Sequence, residues 1–230
     1  MMFFDFRYLL FVSPAIILMI WAQYKVKSTY AAAEKMPATM SGARAARDIL
    51  DAAGLQSIDI EQVPGKLSDH YDPRAKVLRL SQGVYNSRSL AAVGIAAHEA
   101  GHAIQDAKGY LPLVVRNAAV PAASFGGSAA FLLIIAGFLL SSTAFGPLLI
   151  WAGIICFGCV AFFQVVNLPV EFNASSRAKQ QLLDMAIVSP QDMTHVNRVL
   201  DAAAMTYVAA TLQSVLTLMY YVMRFTGGRN

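Results

Sequence analysis

Charge is what this chain has least of. Of its 230 residues only 14% are Asp, Glu, Lys or Arg, while 57% are hydrophobic. A soluble domain carries about 25% charged and about 45–50% apolar residues, so a body solvated on every side is excluded. Disorder is excluded too, because it needs low hydrophobicity and high net charge, and the net charge is +4. No run of consecutive Lys or Arg exists that would form a nucleic-acid face. Cysteine is almost missing: Cys156 and Cys159 both lie inside an apolar stretch, which rules out a disulfide scaffold. Their Cys-x-x-Cys spacing has no His or Asp beside it and reads as small packing residues, not a redox or metal pair. What remains is an integral membrane protein with one modest polar domain.

The chain does have long uncharged runs. Tyr8–Tyr24 is apolar and is closed by Lys25 and Lys27. A span of the roughly 30 Å hydrocarbon core takes about 20 such residues, with a lower limit near 17. Tyr8–Tyr24 meets that limit with Phe3–Phe6 in reserve, and no small-residue cleavage pattern precedes Lys25, so it reads as a retained span, not a signal peptide. Between Arg116 and Glu171 there is no Asp, Glu, Lys, Arg or His. That length predicts a helical hairpin, about 119–140 and 147–168, with its turn at Ser141–Pro147. Gly126, Gly127, Gly137 and Gly153 suit close helix approach in lipid. Ala202–Met223 is a fourth uncharged segment, more polar than the others, and is read as a span. Lys25, Lys27, Lys35, Lys108, Arg116, Arg177, Lys179 and Arg198 then fall on one side and Arg7, Arg224 and Arg229 on the other. The positive-inside rule places the polar part in the cytoplasm.

In that polar part, 41–54 reads as a helix with Ser41 as N-cap and Gly54 as stop. Ile58–Val63 and Lys76–Leu80 alternate as strands do. A helix from about 87 to 108 follows, and it contains His98-Glu99-Ala100-Gly101-His102. On a helix, residues i and i+4 have Cβ atoms roughly 5–6 Å apart, so both imidazoles can hold one tetrahedral zinc. Glu99 sits on the adjoining face, where it reaches a metal-activated water and serves as general base. A chance match to this pattern in such a chain is on the order of one in a hundred. A catalytic zinc needs a third protein ligand and an open position. His70, His195, Asp69, Asp72, Glu171 and Asp184 qualify. Glu171 is preferred, because it ends the uncharged run at an expected helix start, where a carboxylate at the bilayer edge calls for a matching charge.

Ser68-Asp69-His70-Tyr71-Asp72-Pro73, Leu78-Arg79-Leu80-Ser81, Gly94–Gln105, Leu168–Ser175 and the segment around Thr206–Ala209 together resemble the YugP-like family of bacterial membrane neutral zinc metallopeptidases. That family is in turn similar to the HtpX-like membrane proteases, whose third ligand is a Glu after a membrane segment. The resemblance implies His98, His102 and Glu171 as ligands of one catalytic zinc and Glu99 as base. Two positions depart from the pattern: Asn173 stands where Asp is expected, and so does Ser175, four residues after the ligand Glu. An Asp there would orient a ligating His; Asp72, Asp106 and Asp184 are candidates to replace it. Tyr207, His195, Arg177 and His70 are candidate donors to an oxyanion, with Tyr207 and His195 placed first. Lys76–Leu80 is the expected edge strand for substrate pairing.

The expected architecture is a mainly α integral membrane protein with three or four transmembrane helices and a small α+β, gluzincin-like zinc-metallopeptidase head. Residues 1–25 form the first span, 26–117 the catalytic head, 118–170 the hairpin, and 171–230 the third-ligand helix and fourth span. The expected activity is endopeptidase cleavage of a protein or peptide substrate at a bacterial plasma membrane, with the lipid bilayer and not nucleic acid as the other partner. The alternative is an inactive membrane scaffold that holds zinc structurally, in a closed four-ligand site.

Overall fold

The structure is a computed structural model that describes residues 5–227. Phe3, Phe4 and Arg229, which enter the span and sidedness expectations, lie outside the described residues. The chain is mainly helical, with one small sheet. Helix α1 (Phe6–Glu34) is followed by α2 (Gly42–Ala52), strands β1 (Asp59–Val63), β2 (His70–Asp72) and β3 (Val77–Ser81), and a single turn α3 (Gln82–Tyr85). Then come α4 (Leu90–Ala107), α5 (Leu111–Leu139), α6 (Phe145–Asp184) and α7 (Met193–Gly227). Four of these helices, α1, α5, α6 and α7, are long and apolar enough to cross a membrane.

All four run past the limits expected from the apolar runs. Charge ends an apolar segment but not a helix, whose backbone bonds continue as well in water as in lipid. Thus α1 continues through Lys25 and Lys27 into Tyr30–Glu34, and α7 begins nine residues before Ala202. The same effect corrects the placing of Glu171. It does not start a helix; it lies well inside α6, two residues after Pro169. A proline removes one intrahelical bond and need not end the helix. Here Gln105 donates to the Val170 carbonyl at 2.8 Å, and the Tyr110 hydroxyl to that of Pro169 at 3.4 Å, so two outside donors meet the helix at and just after its proline.

The chain divides into two compact units. One comprises residues 5–21 of those described, Val115–Leu168 and 207–227; the other is Ala22–Val114 with Pro169–Thr206. In the first, α5 and α6 meet at small residues: a Cβ on Gly126 would stand 2.5 Å from the Cys156 carbonyl oxygen, beside Cys159. Both cysteines are free. Tyr8 and Thr217 share a hydrogen bond at 3.1 Å between α1 and α7, and Asp5 pairs with Tyr220 and Arg224.

The second unit has a packed core. Ser41 caps α2 by accepting from the Arg44 N–H, and Gly54, at φ +76°, ends it. The buried face of α2, Ala45, Ala46, Ile49 and Leu50, packs with Leu78, Leu80, Val84 and Val93 in one cluster with the alanines of α4. Ser89 caps α4 by accepting from Ala92 N–H. The sheet order is β1-β3-β2, parallel between β1 and β3 and antiparallel between β2 and β3. Strand β3 is therefore central, which corrects the expectation that Lys76–Leu80 is an edge. Its Leu78 and Leu80 are fully buried, and a strand that buries its large side chains takes the position flanked on both sides. The edge beside α4 is β2.

Candidate metal centre

Helix α4 carries His98 and His102 one turn apart, with ring centroids 4.8 Å apart and nearly perpendicular. The neighbours between and around them are small: Ala97, Ala100 and Ala103 are fully buried and leave room for another backbone. Gly101 is where that backbone arrives. A Cβ there would lie 2.7 Å from the Ala174 carbonyl oxygen of α6, so only glycine permits the approach. Glu171, one turn before Ala174, is thereby brought to the two rings. Its Oε2 lies 3.2 Å from His98 Nε2 and 3.7 Å from His102 Nε2. One ligand atom from each of the three residues lies within 4.8 Å of the others. Glu171 is only 5% exposed and His102 8%, and a carboxylate buried to that degree needs a positive partner.

The other ring nitrogens are turned outward and held. His98 Nδ1 meets the Ser175 hydroxyl at 3.1 Å, and His102 Nδ1 meets Gln105 Oε1 at 3.0 Å. The Gln105 amide is fixed by its other end, where Nε2 donates to the Val170 carbonyl and, at 3.0 Å, to Asn173 Oδ1. A main-chain carbonyl accepts only, so the Gln105 oxygen must face the imidazole, and His102 Nδ1 must carry the proton. Its Nε2 is then the nitrogen that faces Glu171 and is left for a metal. Asn173 is held in turn by Arg177 Nε at 2.7 Å. Burial works against a charged His102, but a protonated ring donating to the Glu171 carboxylate, together with the charges of Glu99 and Glu171, outweighs it and raises its pKa. The pocket thus draws positive charge. Two imidazoles and one carboxylate, with the imidazoles oriented from behind, are a donor set that suits a catalytic zinc.

Glu99 stays outside the three-residue group. Its Oε2 accepts the Tyr71 N–H of β2 at 3.1 Å. The Tyr71 hydroxyl donates to Asp106 at 2.7 Å, and Lys76 reaches the same oxygen at 2.5 Å. Burial first, then the hydrogen bond to Asp106 and its charge, raise the Tyr71 phenol well above its ordinary range, so it is a neutral donor.

A sequence profile of the family described as "Putative neutral zinc metallopeptidase" matches residues 8–226. The chain belongs to that family. It is also 46% identical over 218 residues to the "Putative membrane protease YugP" of Bacillus subtilis (strain 168), covering 94% of this chain and 95% of that protein. No solved structure matches. Membership implies zinc, and among the described residues His98, His102 and Glu171 form the group able to hold it.

The remaining candidates are elsewhere. Neither His70 nor His195 joins the group, nor do Asp69, Asp72 or Asp184. Exposed His70 gives its Nδ1–H to the Ser68 carbonyl. Half-buried His195 lies in the first turn of α7, and half-buried Tyr207 is the first α7 residue of the other unit. Arg177 serves Asn173 and lies over the Tyr110 ring at 6.0 Å. Among the described residues no acid holds either imidazole from behind: Asp72 bonds Arg79 and the turn at Arg74–Ala75, and Asp106 bonds Tyr71 and Lys76. Ser175 does stand where an Asp was expected and performs its orienting task with a hydroxyl. Gln105 and Tyr71 had no assigned role in the sequence. For Gln105 a signal existed, since it follows His102 by three residues on the same helix face. For Tyr71 none did, because its contact with Glu99 runs through the backbone.

Proposed function

We propose that this protein is a zinc-dependent endopeptidase with a gluzincin-like head, in which Glu99 is the general base and His98, His102 and Glu171 hold one zinc ion. The observation that carries this reading is the convergence of Glu171 Oε2 on both Nε2 atoms while both Nδ1 atoms are bonded from behind. Three ligands in the group support a catalytic site over a structural one, which takes four.

Zinc, when bound, supplies a Lewis acid that polarises the scissile carbonyl and lowers the pKa of a water toward about 7. The residues of the chain do the rest. Glu99 takes a proton from the attacking water and returns it to the departing amine. Ser175 and Gln105 hold the imidazoles so that neither ring turns away. An extended peptide is proposed to lie alongside β2, next to Glu99, pairing with the outward backbone groups of that edge strand that the bond from the Tyr71 N–H to Glu99 leaves unused. His195, in the first turn of α7 and in the same unit as the three ligands, is the proposed donor to the oxyanion. The family, the membrane-protease relative and the four apolar helices support a multi-pass protein of a bacterial plasma membrane, and the distribution of Lys and Arg supports a cytoplasmic head.

The test is cleavage of an unfolded protein such as casein by the detergent-purified chain, with Glu99→Gln as control. The variant should lose about 10²–10⁴-fold in rate and keep its zinc, measured as metal per chain. Cleavage at the parental rate by Glu99→Gln would remove Glu99 from the mechanism.

A further inference from the structure

The string Ser68–Pro73 contains no metal ligand, yet the structure ties it closely to the base. Asp69 accepts from both the N–H and the hydroxyl of Ser81, and Asp72 accepts from the N–H groups of Arg74 and Ala75 and from Arg79. These bonds fix both ends of β2, an edge strand of three residues. Between them Tyr71 makes two contacts with α4, one through its backbone N–H to Glu99 and one through its phenol to Asp106. Glu99 and Asp106 are seven residues apart, within about 20° of two full helical turns, so they lie on one face of α4, roughly 10 Å apart along the axis. A single residue therefore spans two turns of the helix that carries both imidazoles.

The Tyr71 N–H is directed away from β3, toward α4, so its bond to Glu99 is not part of the sheet ladder. It occupies one oxygen of the Glu99 carboxylate and leaves the other, Oε1, for proton transfer. Without that bond the carboxylate would rotate about its side-chain torsions. The N–H in turn stays in place only while β2 keeps its position along α4. Asp106 supplies that restraint by accepting from Tyr71, and Lys76, in the turn just before β3, accompanies it with charge on the same oxygen.

We propose that Tyr71 and Asp106 are positioning residues for the general base: the Tyr71 backbone N–H orients the Glu99 carboxylate, and the Tyr71–Asp106–Lys76 cluster holds the strand that presents it. This rests on the peptidase reading for its kinetic consequence but not for its geometry, and two measurements separate the two. The first is amide hydrogen exchange at Tyr71, read by mass spectrometry with site-resolving fragmentation. Glu99→Ala should accelerate exchange at Tyr71 at least about tenfold while the amides of β3 keep their parental rates, because only the bond outside the ladder is lost. An unchanged Tyr71 rate overturns the proposal whether or not the protein cleaves peptides. The second is steady-state cleavage by Tyr71→Phe and Asp106→Ala. Each should lower kcat about tenfold, as expected when a reacting group is displaced by a fraction of an ångström, with KM and zinc per chain at parental values. Replacing Tyr71 by its α-hydroxy analogue, which keeps the phenol and deletes the N–H, should lower kcat further. A kcat within twofold of parental in all three overturns the positioning role, and so does a parallel loss of zinc and kcat, which would mark the cluster as structural support for the metal ligands. If the parental protein cleaves nothing, the peptidase reading fails and the exchange measurement still decides whether Tyr71 holds Glu99.

Discussion

The two units of this molecule solve the burial problem in opposite ways. Residues 22–114 and 169–206 build a core of the kind found in soluble domains, with Ile49, Leu50, Leu78, Leu80, Val93 and Leu182 at or near zero exposure. In the unit of apolar helices the large side chains face outward: Phe125, Leu132 and Ile155 are 72%, 67% and 69% exposed. In water such a surface would drive aggregation; against hydrocarbon it needs no cover, and the helices meet at glycines instead. Polar chemistry follows the same division. The buried ionisable cluster of His102 and Glu171 belongs to the unit with the packed core. The other keeps hydroxyls such as Thr211, whose bond to the Gln164 carbonyl is 3.0 Å long.

If that contrast is right, equal truncations should have unequal costs. Leu78→Ala, in the core, should destabilise by about 2–5 kcal/mol, whereas Ile155→Ala, on the outward face, should stay within about 0.5 kcal/mol. Denaturation of the detergent-solubilised protein, followed for each unit by a local fluorophore, reads both. Equal losses would break the comparison. The two close glycines sharpen it. Gly101→Ala and Gly126→Ala each drive a Cβ into a backbone carbonyl, at a cost of about 1–3 kcal/mol for such overpacking. Only Gly101→Ala should also release zinc, because only there does the approach deliver a ligand. Metal per chain for both variants checks this, and zinc loss from Gly126→Ala would contradict it. The smallest effects compare two polar bonds. Gln105→Ala removes the partner of His102 Nδ1 and should weaken zinc binding about 10–100-fold, as loss of an orienting partner does, measured by competition with a chelating dye. Thr211→Val should cost about 0.6 kcal/mol, the mean for hydrogen bonds between membrane helices, and leave zinc affinity unchanged.

Much of the site was legible in the sequence because its information is local or chemical. The spacing of His98 and His102 places two imidazoles on one helix face, and Glu171 is the acid that ends an uncharged run. What the sequence did not reveal were the partners behind the ligands and the order of the strands. With Ser175 in the place of an acid, the orienting partner was expected from Asp72, Asp106 or Asp184, because a carboxylate is the usual partner; the Ser175 hydroxyl itself makes the contact to His98. Gln105 lies inside a recognisable string, yet its role depends on Val170 and Asn173, which are brought to it from a distant segment. Strand β3 alternates as an edge strand would, and its central position depends on β1 and β2 flanking it, which no periodicity encodes. The helix containing Glu171 was expected to begin where the charge returns, but backbone hydrogen bonding continued through Pro169.

By itself the amino-acid sequence determined which segments avoid water and which residues can bind zinc, since both follow from side-chain chemistry and spacing along the chain. Only the folded chain decided that Gly101 admits α6, that one carboxylate oxygen meets two imidazoles, and that the N–H of an edge strand faces Glu99. Those are distances between residues far apart in sequence, set by packing, and no local pattern contains them.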